Sequence, residues 1–241
     1  MKSQRKLVNL RQSSELNKKR YNPMIKNILF DMGGVIFRQN TEEAFRRFRE
    51  AGINPDEYMG AYGQRGFFLD VETGDIDDVE FCRQMSLAVG RTISWQKAQH
   101  CWLGYKIDVP VDRLQTLVEL KKKYHICLLS NTNPFIMAHM HSVDFSQEGR
   151  PIDDYFHSLF CSYEMHAYKP HADIFQQALA TDHMLPEECI FLDDSMKNIE
   201  AAQAVGIHSL HVETNSDWRE PLERLLQQLN EKTNQEATLE K

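Results

Sequence analysis

The feature that most constrains this chain is a series of five short apolar runs that alternate with helical patterns. The runs are Ile25–Phe30, Ile126–Ser130, Ser158–Ser162, Cys189–Leu192 and His208–Val212. Before the second, Leu114, Leu117, Val118 and Leu120 form one helical face. After the third, Ile174, Phe175, Ala178 and Leu179 recur at helical spacing. After the fourth, Ile199, Ala202 and Val205 do the same, and Gly206 is placed to cap that helix. Strands near-continuously apolar are buried on both faces, and strands alternating with helices run parallel. The expected fold is therefore α/β, a Rossmann-like doubly wound parallel sheet.

Residues 39–110 break the rhythm. Asn40 followed by Glu43 resembles a capped helix start. Further helical stretches cover Asp77–Val89 and Ser94–Leu103, and no strand is expected there. An insertion this long after the first strand reads as a functional lid. The expected organisation is a core at 24–38 and 111–230, a helical cap at 39–110, and a polar C-terminal tail at 231–241. Residues 1–23 read as a disordered basic tail, and Met24-Ile25-Lys26 looks like a natural start directly before the first strand.

Charge limits the partners. The chain carries 28 Lys and Arg against 35 Asp and Glu, and residues 1–22 hold seven of the bases and one of the acids. A segment of +6 thus precedes a body of −13. An acidic body is a poor nucleic-acid surface. No apolar run is long enough to span a bilayer, and the basic segment lacks the apolar stretch of a secretory signal. The five cysteines include no C-x-x-C pair; Cys127, Cys161 and Cys189 sit in strand-like runs. This is a reduced, cytoplasmic pattern rather than a disulfide framework or a zinc site.

In open α/β sheets, ligands bind beyond the carboxyl ends of the strands. The first strand ends Phe30-Asp31-Met32-Gly33-Gly34, the second Leu129-Ser130-Asn131-Thr132, and the fourth Leu192-Asp193-Asp194-Ser195. The third leads through Glu164–Tyr168 to Lys169-Pro170. Three carboxylates, a hydroxyl and an ammonium are expected to converge on one edge. That set suits phosphoryl transfer: a hard cation offsets the repulsion between a phosphoester and an anionic nucleophile. Lysine and hydroxyl or amide donors hold the remaining oxygens, and an aspartate can attack phosphorus to give an acyl phosphate. Each piece alone has a plainer reading. Asp31 can be a turn former, Asp193–Asp194 a helix cap, Ser130-Asn131 a turn, and Pro170 the first residue of a helix. Only their ordered combination is specific.

Four segments, FDMGGVIF, LLSNTN, YKPHADIF and FLDDSMKNIEAAQAVGI, carry a resemblance to the haloacid dehalogenase (HAD) superfamily. It spans roughly Ile25 to Val212. The layout resembles subfamily I, with a C1 helical cap, near the sugar-phosphate phosphatases and the phosphatase domain of epoxide hydrolase. The resemblance implies a Mg²⁺-dependent phosphatase acting on a small phosphorylated metabolite, such as a sugar phosphate. Asp31 is then the nucleophile and a metal ligand, and Gly33 lends its carbonyl to Mg²⁺. Gly34, Ser130 and Asn131 bind the phosphoryl group, and Lys169 neutralises both phosphate and Asp31. Asp193 and Asp194 serve the metal, and Asn198 falls where many relatives place another carboxylate. One departure stands out. Most family phosphatases carry an acid two positions after the nucleophile, and here that position is Gly33. General acid–base help is worth roughly a hundred- to ten-thousand-fold, so a cap residue is the place to seek a substitute, with Asp70, Glu72 and Asp75 as candidates.

Two alternatives follow from the same residues. One is a weakly active or non-catalytic phosphometabolite binder. The other is a metal-independent 2-haloacid dehalogenase, against which the Asp193–Asp194 pair argues. Among other conspicuous residues, His139 and His141 do not face each other on a helix, and His166 reads as a loop residue. The Gly60, Gly63, Gly66 spacing is not a dinucleotide fingerprint. Trp95 and Trp102 read as cap core. Gln64 and Arg65 are cap positions from which a leaving group can be read.

Overall fold

A computed structural model describes residues 24–60 and 63–238. The N-terminal basic segment lies outside the described residues. The chain opens with β1 (Asn27–Phe30) and then leaves the core through β2 (Arg38–Gln39). The insertion contains α1 (Thr41–Ala51), α2 (Pro55–Tyr58), the hairpin β3 (Met59–Gly60) and β4 (Gly63–Gln64), α3 (Phe67–Thr73), α4 (Asp78–Val89) and α5 (Trp95–Trp102). It returns through β5 (Lys106–Asp108). The core continues with α6 (Val111–Lys121), β6 (His125–Ser130), α7 (Pro134–Met140), β7 (Ser158–Cys161), α8 (Ser162–Met165), α9 (Ala172–Thr181), β8 (Cys189–Asp193), α10 (Met196–Ala204), β9 (His208–His211) and α11 (Arg219–Thr238). The last helix continues through 231–238, where a polar tail was expected.

The five expected runs form one parallel sheet in the order β7-β6-β1-β8-β9. Its two faces follow from strand alternation. Ile28, Phe30, Ile126, Leu128, Ile190 and Leu192 pack into one layer. Leu29, Cys127, Leu129, Cys189 and Phe191 pack into the other, against α9 and α10 residues such as Ile174, Phe175, Ile199 and Ala202. The first layer is continuous with the insertion, whose aromatic residues Phe48, Phe68, Phe81 and Trp102 belong to the same cluster. Phe48 and Phe68 meet edge to face at 5.0 Å, and Trp102 lies 5.3 Å from Phe48 and 5.4 Å from Phe68. The insertion is thus packed onto the core rather than merely tethered to it.

The expected helix starts are where the capping side chains place them. Asn40, Asp77 and Ser94 each accept from the backbone N–H three residues on, at Glu43, Glu80 and Lys97. The absence of strands between 39 and 110 is corrected. Met59 and Gly60 pair antiparallel with Gln64 and Gly63, and Arg38–Gln39 pairs with Lys106–Asp108. These strands are two or three residues long, too short for an alternating pattern to register. Pro170 is not the first residue of a helix either: α9 begins at Ala172, and the Lys169–Pro170 bond is cis. Among the described residues, no helix is long and apolar enough to cross a membrane.

Candidate active site

The turn after β1 is built by its own backbone. Ile36 and Phe37 donate to the Met32 carbonyl at 2.8 and 3.1 Å, and Gly34 donates to Phe37 at 2.9 Å. Arg113, buried on α6, and the Trp218 indole both donate to the Val35 carbonyl, at 2.6 and 2.9 Å. The close of the turn is fixed by Asn215. Its side chain exchanges two hydrogen bonds with the Gln39 backbone, and its N–H donates to the Gly34 carbonyl. Asp31 is therefore presented at the carboxyl end of β1 by a loop with few free backbone groups.

Four segments at the sheet's carboxyl edge deliver the expected residues to one cavity of about 210 Å³, except Gly34, which does not line it because its N–H closes the turn onto Phe37. Asp31, Gly33, Ser130, Asn131, Lys169, Asp193, Asp194 and Asn198 all line it. Lys169 is its centre. The ammonium, 2% exposed, donates to Asp31 Oδ1 at 2.6 Å, Asp193 Oδ2 at 2.7 Å and the Leu129 carbonyl at 2.9 Å. Burial alone would lower its pKa, but Asp193 and Asp31 outweigh that and hold it above its ordinary value. Asp193 is fully enclosed: Oδ1 accepts from the Ser195 N–H at 2.7 Å, and Asn198 Nδ2 reaches both carboxylate oxygens at 3.0 Å. Asp194 accepts from the Thr214 hydroxyl at 2.7 Å and the Gln39 amide at 3.3 Å.

One oxygen from each of Asp31, Asp193 and Asp194 lies within 4.8 Å of the others. Three carboxylates share a single ammonium. Burial, together with Asp193 and Asp194, pushes Asp31 up to about 7 despite Lys169. Burial likewise raises Asp194, opposed by the Thr214 hydrogen bond. This surplus of clustered hard oxygen donors is the condition that a hard divalent cation relieves, so the residues fit Mg²⁺.

Several expected residues have more specific settings than the sequence indicated. The Asn131 side chain engages the Lys169 backbone at both ends: Nδ2 donates to its carbonyl at 2.9 Å and Oδ1 accepts from its N–H at 2.8 Å. Asn131 therefore clamps the backbone that carries the central ammonium. The Ser130 hydroxyl has only a long contact to the Asn131 carbonyl, 3.4 Å. Positive φ belongs to Gly34, at 75°, not to Gly33. A side chain on Gly34 would also strike Asp194 Oδ2 at 2.6 Å, whereas one on Gly33 would meet only the flexible end of Gln39, at 2.8 Å. The space an acid at position 33 would use is thus filled by the Gln39 amide.

The cap supplies the opposite wall, with Gln64, Glu72, Trp102 and Tyr105. Tyr168 and Ile136 join it from the core. Of the three cap acids considered, Glu72 lines this cavity; Asp75 lines a separate cleft with His166, and Asp70 lines neither. Glu72 is buried, its Oε2 accepts from the Tyr168 hydroxyl at 3.2 Å, and burial pushes it up to about 7 against the hydrogen bonds that favour its ionised form. Gln39, Trp102, Tyr105, Tyr168 and Thr214 were not singled out as site residues. Tyr168 alone had a local signal, as the neighbour of Lys169; nothing in the spacing of the others marks them. His139 contacts Lys106 and His141 contacts Asp153, so the two histidines have separate partners.

Known proteins agree with this geometry. Residues 25–206 match the model of the haloacid dehalogenase-like hydrolases. A D-ribitol-5-phosphate phosphatase from Bacteroides thetaiotaomicron is 36% identical over 204 residues, covering 84% of this chain and 99% of that protein. A HAD-like family hydrolase from Porphyromonas gingivalis superposes with a TM-score of 0.80 at 34% identity, covering 85% of this chain and 98% of its own. A HAD family enzyme from Bacteroides thetaiotaomicron, solved as a mutant with magnesium and inorganic phosphate, gives 0.77 at 31% identity, covering 82% and 98%. Matched by the family model over residues 25–206 and by the ribitol-phosphate phosphatase over 84% of its length, this chain belongs to the haloacid dehalogenase-like hydrolases.

Proposed function

We propose that this enzyme is a Mg²⁺-dependent phosphatase that hydrolyses a small phosphorylated metabolite, a sugar phosphate or a close analogue, through an aspartyl phosphate on Asp31. The observation that carries the reading is the Lys169 ammonium bridging Asp31 and Asp193 beside Asp194, in a cavity that opens onto a polar cap wall. Asp31, Asp193, Asp194 and the Gly33 carbonyl would hold Mg²⁺. The ion would supply charge neutralisation for carboxylate and phosphate oxygens together.

The chain's own residues then divide the work. Asp31 Oδ attacks phosphorus; the bond to the leaving oxygen breaks and its electron pair stays on that oxygen. Lys169 neutralises Asp31 and a phosphoryl oxygen, held in place by the Asn131 clamp. Ser130 and the backbone N–H of Asn131 bind the remaining phosphoryl oxygens, whereas the Gly34 N–H is already spent on the Phe37 carbonyl. Water then releases phosphate and regenerates Asp31. Asn198 and Ser195 keep Asp193 aimed at Lys169. The acidic pair at 193–194 separates this arrangement from a metal-free attack on carbon. The similarity to a ribitol-phosphate phosphatase supports the metabolite class, and five free cysteines support a cytoplasmic setting.

The test is phosphate release from a panel of phosphorylated metabolites with and without Mg²⁺. Release that depends on the ion and concentrates on small sugar or polyol phosphates is expected. Full activity in the presence of a strong chelator, or halide release from 2-haloacids, would overturn the reading.

A further inference from the structure

The phosphatase reading leaves the cap wall of the cavity without a task, and two of its polar atoms are conspicuous. Trp102 has no exposed surface, lines the cavity, and its Nε1–H has no hydrogen-bond partner among the described residues. Gln64, from the cap hairpin, lines the same cavity, and its buried Oε1 is likewise without a partner. Native proteins pair nearly all such groups, and an unpaired buried donor or acceptor is costly. Packing accounts for the Trp102 ring, which sits among Phe48, Phe68 and Phe81. The indole N–H is the part that packing does not explain.

We propose that Trp102 and Gln64, with Glu72 beside them, form a subsite for a neutral, hydroxyl-bearing leaving group, which makes the enzyme selective for polyol or open-chain sugar phosphates. The inference rests on the phosphatase reading and specifies its substrate. A hydroxyl both donates and accepts. It can therefore accept from Trp102 Nε1–H and donate to Gln64 Oε1 or to Glu72, which an ammonium, a carboxylate or an alkyl chain cannot do. An anionic tail would face the Glu72 carboxyl with no free cation among the described residues of this wall, because Lys169 is committed to Asp31 and Asp193. The volume of about 210 Å³ lies below the roughly 300–1,000 Å³ of pockets for drug-sized ligands, which disfavours bulky leaving groups. A site built to hydrogen-bond a substrate hydroxyl rejects the analogue that lacks it, because its own buried groups are then stranded.

The experiment compares kcat/KM, with Mg²⁺, for a five-carbon polyol phosphate, n-pentyl phosphate and phenyl phosphate. Wild-type enzyme is expected to favour the polyol over the pentyl ester by about a hundredfold, roughly tenfold for each stranded group. Trp102→Phe and Gln64→Met should each cut that ratio about tenfold. Circular dichroism confirms that the variants are folded; if Trp102→Phe does not fold, Gln64→Met carries the same test from an edge hairpin. Equal turnover of the polyol and pentyl esters, or ratios unchanged in folded variants, would overturn the subsite while leaving the phosphatase reading intact. No turnover of any of the three would overturn the phosphatase reading, and the subsite with it.

Discussion

Replacing Glu72 by glutamine tests the energetics of the cap wall apart from any assay of activity. Glu72 is 5% exposed, and burial raises its carboxyl from 4.5 to about 7, opposed by the Tyr168 hydroxyl and the Asn133 and Gln64 amides. The folded protein therefore holds a proton here that the unfolded chain releases near pH 4.5. Stability from this group is fully present below about pH 4.5 and is lost as pH rises towards about 7, because ionisation must then occur in a buried site. Each pH unit corresponds to about 1.4 kcal/mol, so the full penalty is on the order of 3 kcal/mol. Glutamine is similar in shape, keeps an acceptor and never ionises. The variant should match wild type at pH 4.5 and exceed it by on the order of 3 kcal/mol at pH 8. In a domain of this size that is roughly 6–12 °C in Tm. Urea or thermal unfolding of both proteins between pH 4.5 and 8 reads the difference directly. A difference that stays flat across this window, or grows towards acid, would refute the argument. It would mean that the Glu72 carboxylate is solvated or paired in the folded state.

Asp31→Asn should reduce phosphate release to background, and chelation should do so reversibly on re-addition of Mg²⁺; phosphate assays read both. Lys169→Met leaves Asp31 and Asp193 buried without their shared cation, so it should abolish turnover and cost roughly 3–5 kcal/mol of stability, measured by denaturant titration. With Gly33 in place of an acid, turnover should fall as leaving-group pKa rises across a graded set of phosphomonoesters, with KM little changed. A flat profile with chemistry rate-limiting would turn attention to Glu72 as proton source, the cavity's carboxyl outside the cluster around Lys169. Gly33→Asp should raise turnover on primary alkyl phosphates, more so when combined with Gln39→Ala, because the backbone there does not require glycine and the obstruction is the Gln39 amide; steady-state kinetics on a primary alkyl ester checks this.

The sheet and one half of the site were legible in the sequence for the same reason. A parallel strand buried on both faces needs an unbroken apolar run, and the residue ending that run must lie at the carboxyl edge of the sheet. Asp31, Ser130, Asp193 and Asp194 end or directly follow such runs, so backbone periodicity alone gathers them; Lys169 follows the third run through a short connection. Helix starts at Asn40, Asp77 and Ser94 were legible because capping is a local interaction between residues three apart. The cap wall was not. Trp102 reads as core because its ring is core; only the tertiary packing brings it to the cavity and leaves its N–H unpaired among the described residues. Gln39 lies at the mouth of the insertion, and its amide occupies the space beside Gly33 because Asn215, 176 residues away, holds its backbone. Asn131 looks like a phosphate ligand by its position, yet its side chain is spent on the Lys169 backbone, 38 residues on. Periodicity and capping act over a few residues and leave a trace in the sequence, whereas the direction of one polar atom into a shared cavity depends on how distant segments pack and leaves none.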